Sequence, residues 1–230
     1  MDIGEIISDS IKYPSSDWGK VLMLGVIFIA SILIIPIFLA MGYVFRIIKS
    51  TLVGIDELPE FDEIGDMFID GLKIFVVGIV YSIPIWIIYG IIFVLGLGMI
   101  TAYGDAVTSS TAFGLMAVIY IVLIIVAFIV GLFELMAIAN MAYYNGDLEA
   151  AFRFREILEH ISNIGWGKYI VTMIVIGIIS GIGYLIGWLT MFIFIGFILL
   201  PLIIMPYIMM FVYRAIALLL KPSFEGKVIE

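Results

Sequence analysis

YIVTMIVIGIISGIGYLIGWLTMFIFIGFILLPLIIMPYIMMFVY, residues 169–213, runs for 45 residues without a charged side chain. A helix that crosses the ~30 Å hydrocarbon core of a bilayer needs about 20 apolar residues. The stretch therefore holds two crossings, joined by a short turn near Trp188–Gly196. Working outward, residues 106–133 form an uncharged run of 28 and residues 74–104 one of 31. Each is long enough for one crossing. Composition agrees: the 230 residues are 64% hydrophobic and 13% charged, with a mean hydropathy of +1.28. A soluble domain is nearer half apolar and about a quarter charged. The expected fold is an all-α integral membrane protein, a single polytopic domain over residues 1–230 with four transmembrane helices and an N-terminal apolar run.

That N-terminal run, residues 21–45, spans 25 uncharged residues. It reads either as a fifth span or as a re-entrant hairpin broken near Ile35-Pro36-Ile37, because a proline inside a helix removes a hydrogen bond and kinks the chain. A re-entrant turn is tolerated only where other helices cover it. Loops enriched in Lys and Arg stay in the cytoplasm. Arg46, Lys49, Lys73, Arg153, Arg155, Lys168, Arg214, Lys221 and Lys227 fall on one side of the spans, and a hairpin places Lys12 and Lys20 there too. The hairpin is therefore preferred, with both termini cytoplasmic in a multi-pass protein of the cell membrane. Asp2, Glu5, Asp9 and Asp17 precede the first apolar run, unlike a signal peptide with its basic start. A short internal repeat agrees. Trp18-Gly19-Lys20 and Trp166-Gly167-Lys168 open two apolar runs, and Tyr43 and Tyr213 precede Arg46 and Arg214 near their ends. The repeat units read as 1–55, 56–146 and 147–230.

Two polar stretches read as amphipathic helices at the cytoplasmic membrane surface. Residues 59–72 start with Pro59, which suits the first helical position, and carry acids beside the positive helix end. Their acids Glu60, Glu63, Asp66 and Asp70 make a candidate docking strip for a basic protein partner. Residues 147–162 make the second helix, capped by Asp147 and ending near His160, the only histidine.

With no cysteine and one histidine, thiolate chemistry and a His-rich metal site are excluded. A net charge of −8 without a basic face excludes nucleic-acid binding. No catalytic constellation, metal site or cofactor motif stands out, so a non-enzymatic chain is expected. Glu134 and Arg214 are the ionisable residues at membrane depth. They lie roughly 13 Å and 10 Å inside the Tyr143 and Lys221 levels at 1.5 Å per residue. Such residues usually find a partner and mark function. The expectation is a Glu134–Arg214 pair, with Arg46 competing, serving as a structural clamp or, alternatively, as a small-solute or ion transport site. Gly177-x3-Gly181 and Gly183-x3-Gly187 carry helix-packing spacing, within the chain or between copies in a homo-oligomer. Membrane lipids are the remaining expected partner.

Gly42-Tyr43-x-x-Arg46, Asp56-Glu57-Leu58-Pro59-Glu60-Phe61-Asp62 and Phe68-x-Asp70-Gly71-Leu72-Lys73 resemble an archaeal, methanogen-type membrane family, as do Ile3-Gly4-Glu5, Lys12-Tyr13-Pro14 and Asp17-Trp18. That family is catalogued as domain of unknown function four thousand and thirteen. The likeness runs over essentially the whole chain, with Phe61 standing where the family often has Trp. It implies a multi-pass membrane protein with no assigned activity. The alternation of surface helix and hairpin also resembles the membrane domain attached to some glycerophosphodiester phosphodiesterases. The expected role is a membrane scaffold or assembly protein that binds a partner.

Overall fold

The computed structural model describes residues 1–103 and 109–224, and among these it is helical with no strand. Among the described residues, five helices are long and apolar enough to cross a membrane: Ile35–Leu52, Ile64–Leu95, Ala117–Tyr143, Trp166–Thr190 and Gly196–Phe224. In chain order the helices are α1 Ile3–Lys12, α2 Trp18–Ala30, α3 Ile35–Leu52, α4 Ile64–Tyr103, α5 Ser109–Tyr143, α6 Phe154–Ile164, α7 Trp166–Thr190, α8 Gly196–Leu199 and α9 Met205–Phe224. A π-helical turn, Leu200–Ile204, joins α8 to α9. Pro201 lies in it and lacks the N–H that an α-helical turn needs, so the ladder widens there.

The first apolar run is not one straight helix. α2 ends in a 3-10 turn, Ser31–Leu33, and Ile34 takes a positive φ of 68° before α3 begins. Pro36 sits in the first turn of α3, where its missing N–H costs nothing. The last two apolar segments turn the same way, through Met191–Ile193 and Phe194 at φ 60°.

Neither amphipathic stretch folds as expected. The helix placed at 59–72 begins only at Ile64, and it continues without a break as α4. Side chains have taken the backbone carbonyls just before it, as described below. The helix placed at 147–162 divides into a 3-10 turn, Leu148–Phe152, and α6, with Arg153 between them.

The chain divides into two compact units, Met1–Val77 with Leu135 onward, and Gly78–Glu134. The second takes the later part of α4 and the first part of α5, whose side chains such as Trp86, Phe93, Tyr120 and Ile124 are exposed. In the first unit, α9 packs on α1, α3, α6 and α7, and α2 packs on the π-helical turn. Three glycines set the closest approaches. A Cβ on Gly42 of α3 would strike the Met67 carbonyl, one on Gly71 of α4 the Phe38 carbonyl, and one on Gly25 of α2 the Leu202 carbonyl. The helix backbones therefore touch there, as small residues permit. Of the glycines spaced for packing on α7, Gly183 and Gly187 meet Ile208 and Leu200, whereas nothing lies within 4 Å of a Cβ on Gly177 or Gly181.

Candidate functional site

Residues 53–63, between α3 and α4, form an irregular strap. Six of its backbone oxygens accept from side chains. Arg214 Nη1 donates to the Ile55 carbonyl (3.1 Å), the Tyr13 hydroxyl to Glu57 (3.1 Å) and Lys20 Nζ to Leu58 (2.7 Å). The Tyr43 hydroxyl donates to Pro59 (3.1 Å), and Arg46 donates to both Glu60 (3.1 Å) and Glu63 (3.2 Å). These donors come from α2, α3, α9 and the end of α1. Leu58 is buried between them, and Phe61 stacks on Tyr43 with ring centroids 4.0 Å apart. The carbonyls from Ile55 to Glu60 named here are thus satisfied by side chains, and the first helical bond goes to Glu63, from the Met67 N–H (3.0 Å), which explains why the helix starts after Pro59.

The strap also supplies countercharge. Arg214, whose side chain is 2% exposed, donates through Nη2 to Asp56 (2.6 Å), through Nε to Asp9 of α1 (2.9 Å) and through Nη1 to Thr51 (3.2 Å). Its guanidinium lies 4.6 Å from the centre of the Tyr13 ring. Hydrogen bonding to Arg214, reinforced by the opposite charge, holds the Asp56 carboxyl below the usual carboxylate range. Burial pushes the Tyr13 hydroxyl up to about 12, against the opposing pull of Arg214. The Tyr207 hydroxyl donates to the Ile11 carbonyl (2.7 Å), so α9 holds the end of α1 twice. A groove of about 860 Å³ opens beside this cluster, lined by Glu5, Ser8, Asp9, Tyr13, Asp56 and Arg214.

The expected Glu134–Arg214 pair does not form. Arg214 is committed to Asp9 and Asp56, and Glu134 belongs to the other compact unit, where Gly78 stands beside its carboxylate. Depth along a helix axis suggested the pairing, but two residues at equal depth need not share a face. Arg46 is not the alternative partner either: it binds Asp62 (2.6 Å) and Glu63 (3.7 Å).

The acidic strip is also not uniformly open. Glu60 pairs with Lys20 (2.8 Å), Glu63 with Arg46, and Asp70 is buried between Lys49 (3.0 Å) and Lys73 (3.6 Å). Asp66 is exposed, as is Glu57 on the strap, and neither makes an ion pair among the described residues. His160 is fully buried. The Ser223 carbonyl accepts from its Nδ1 (3.1 Å), and its ring lies against Phe224. Asp9 and Asp56 went unrecognised in the sequence as partners of Arg214, although Asp56 opens the Leu-Pro-Glu motif that carried the family likeness.

The family model described as "Protein of unknown function (DUF4013)" matches residues 25–192. The chain belongs to that family. The match takes in α3, the strap and α4, and stops short of Arg214, so the DUF4013 segment holds the strap and the clamp's main arginine lies beyond it. No curated protein and no solved structure matches the chain.

Proposed function

We propose that this DUF4013 chain is a non-enzymatic membrane scaffold that presents the strap to a basic protein partner. The observation that carries the reading is the strap itself. Six hydrogen bonds from side chains on the surrounding elements hold its carbonyls, so an acidic, irregular segment is kept in one conformation. A surface ordered before binding avoids much of the entropy cost of association. Part of its charge is used internally, by Lys20, Arg46 and Arg214, and Glu57, together with Asp66 in the first turn of α4, remains for a partner. Transport through Glu134 and Arg214 is the lesser reading, because Arg214 is already occupied.

The orientation that suits this role puts the strap, both termini and α1 in the cytoplasm of a multi-pass cell-membrane protein. Lys and Arg at that end favour it. The hairpin α2–α3 then enters and leaves on one side. Single cysteines placed at Ser15 and Asp66 test this: both should be labelled from the cytoplasmic side, and labelling from opposite sides overturns it.

The partner test is mild-detergent purification of the wild type beside the double variant Glu57→Gln/Asp66→Asn. The variant removes charges that the fold does not pair, so its melting temperature should match the wild type. A reproducible basic protein that co-purifies with the wild type and is lost from the variant is the expected result. Recovery of no such protein, or its retention by the variant, refutes the reading.

A further inference from the structure

Between α3, the start of α4 and the turn after α5, a second polar cavity of about 400 Å³ is lined by Arg46, Lys49, Glu63, Asp66, Asp70 and Lys73, with Ile69 and Asn145 completing it. Its floor holds two ammonium groups for one carboxylate. Lys49 Nζ lies 3.0 Å from Asp70 Oδ2, and Lys73 Nζ lies 3.6 Å from Asp70 Oδ1 and donates to the Gly146 carbonyl at 2.8 Å. Gly146 has φ 86°, and a Cβ there would stand 3.1 Å from Lys73 Nζ and 3.6 Å from Lys49 Nζ. The turn after α5 thus brings its backbone close to both lysines, with its carbonyl accepting from Lys73. Each ammonium has three N–H donors, so this floor has donors left over. Arg46 is matched by Asp62 and Glu63. The rim is acidic, through Glu63 and the exposed Asp66.

We propose that this cavity binds the headgroup of an aminophospholipid, its phosphate on Lys49 and Lys73 and its amine against Glu63 and Asp66. Three observations favour such a zwitterion. The lining charges sum to zero, but two lysines share the single carboxylate of Asp70 on the floor while Glu63 and the exposed Asp66 stand at the rim, so a ligand with phosphate inward and amine outward gains at both ends. A simple anion meets the repulsion of the rim. The position suits a lipid, because Lys73 is the last charge before the uncharged run 74–104 and Lys49 lies three residues from the end of α3, so the cavity opens where apolar helix gives way to polar chain. The proposal rests on the membrane reading of the fold and not on the partner-binding role.

The test titrates the purified full chain in detergent with dioctanoyl phosphatidylethanolamine, dioctanoyl phosphatidylglycerol and inorganic phosphate, counting bound molecules by native mass spectrometry. Saturable binding of the ethanolamine lipid, weaker binding of the glycerol lipid and no binding of phosphate are expected. Lys49→Gln should weaken the ethanolamine lipid by about tenfold to a hundredfold, the size of one lost charge-assisted hydrogen bond, while Lys49→Arg keeps most of the affinity. Ile69→Trp adds bulk to the cavity lining without touching an ion pair and should weaken binding, which covers the case of a poorly folded Lys49 variant. Phosphate binding as strong as lipid binding makes this a free-phosphate site and overturns the headgroup assignment. Equal or tighter binding of the glycerol lipid overturns the role of the amine. Unchanged affinity in Lys49→Gln and Ile69→Trp overturns the site.

Discussion

The hairpins α2–α3 and α7–α9 turn on the same device, a three-residue 3-10 turn followed by a residue of positive φ: Ser31–Leu33 and Ile34 in one, Met191–Ile193 and Phe194 in the other. Each carries an arginine within its second arm, Arg46 in α3 and Arg214 in α9. The sizes differ. α2 has 13 residues and α7 has 25, about 20 Å against about 37 Å at 1.5 Å per residue. Only the longer arm covers a ~30 Å hydrocarbon core. The arginines differ as well. Arg46 binds carboxylates that follow it closely in the chain, with 67% and 72% of their side-chain surface exposed. Arg214 is buried and binds Asp9 and Asp56, which lie 205 and 158 residues away. One device thus makes a short hairpin with a locally held arginine and a long one whose arginine ties the chain's beginning, middle and end together.

Replacing the two arginines should separate them most sharply. Removing one member of a buried ion pair costs about 3–5 kcal/mol. Arg214→Met should fall below that range, nearer the figure of about 1.5–3 kcal/mol typical of hydrogen bonds to charged groups, because Asp9 and Asp56 are 40% and 82% exposed and reach water once freed. Arg46→Met should cost about 1 kcal/mol, the range for pairs whose partners are solvated. Denaturant unfolding in detergent micelles reads both. Equal losses would show that burial of Arg214 adds nothing, and the clamp would lose its special standing.

Charges at the hairpin tips address the lengths. Ile32 and Phe192 are 89% and 83% exposed, in turns with no charged residue. A short hairpin that stops within the hydrocarbon puts Ile32 in lipid, while a long one carries Phe192 to the far interface. Ile32→Asp should then cost about 2.5–3.5 kcal/mol of membrane insertion, as an aspartate at mid-membrane does, and Phe192→Asp much less. Insertion assays in microsomes compare them directly. Similar small costs at both tips would mean that α2–α3 does not end inside the membrane.

What the sequence disclosed follows from which forces act locally. Charge is excluded from hydrocarbon everywhere, so uncharged runs outlined the apolar helices and a turn near Trp188–Gly196. Pro36 marked the break that Ile34 completes. The strap and the clamp were hidden because they are made by distant partners. Pro59 and its acids are good helix-start chemistry, yet Lys20, Tyr43 and Arg46 hold the carbonyls there and outweigh it. Glu134 looked like the partner of Arg214 because the sequence supplies depth along a helix and not the direction in which a side chain faces. Helix contacts were concealed for a related reason: Gly42 and Gly71 are isolated in sequence and adjacent in space.

Those glycines allow the smallest test, which compares a used helix face with an open one. Adding a methyl group at Gly42 drives it into the Met67 carbonyl on the neighbouring helix. Backbone cannot swing aside as a long side chain does, so α3 and α4 must part. Gly42→Ala should therefore cost about 1–3 kcal/mol, the range for overpacking, and Gly71→Ala, against Phe38, should cost a similar amount. Gly177 has the same residue type in the same kind of apolar helix, but nothing lies within 4 Å of its added Cβ. Alanine there removes only the excess freedom of glycine in the unfolded chain and should stabilise by about 0.4–1 kcal/mol. Melting temperatures of the three variants should therefore move in opposite directions. A loss at Gly177 would show that this face is covered in the native assembly, most simply by a second copy of the chain, and crosslinking through α7 would then be the measurement to make.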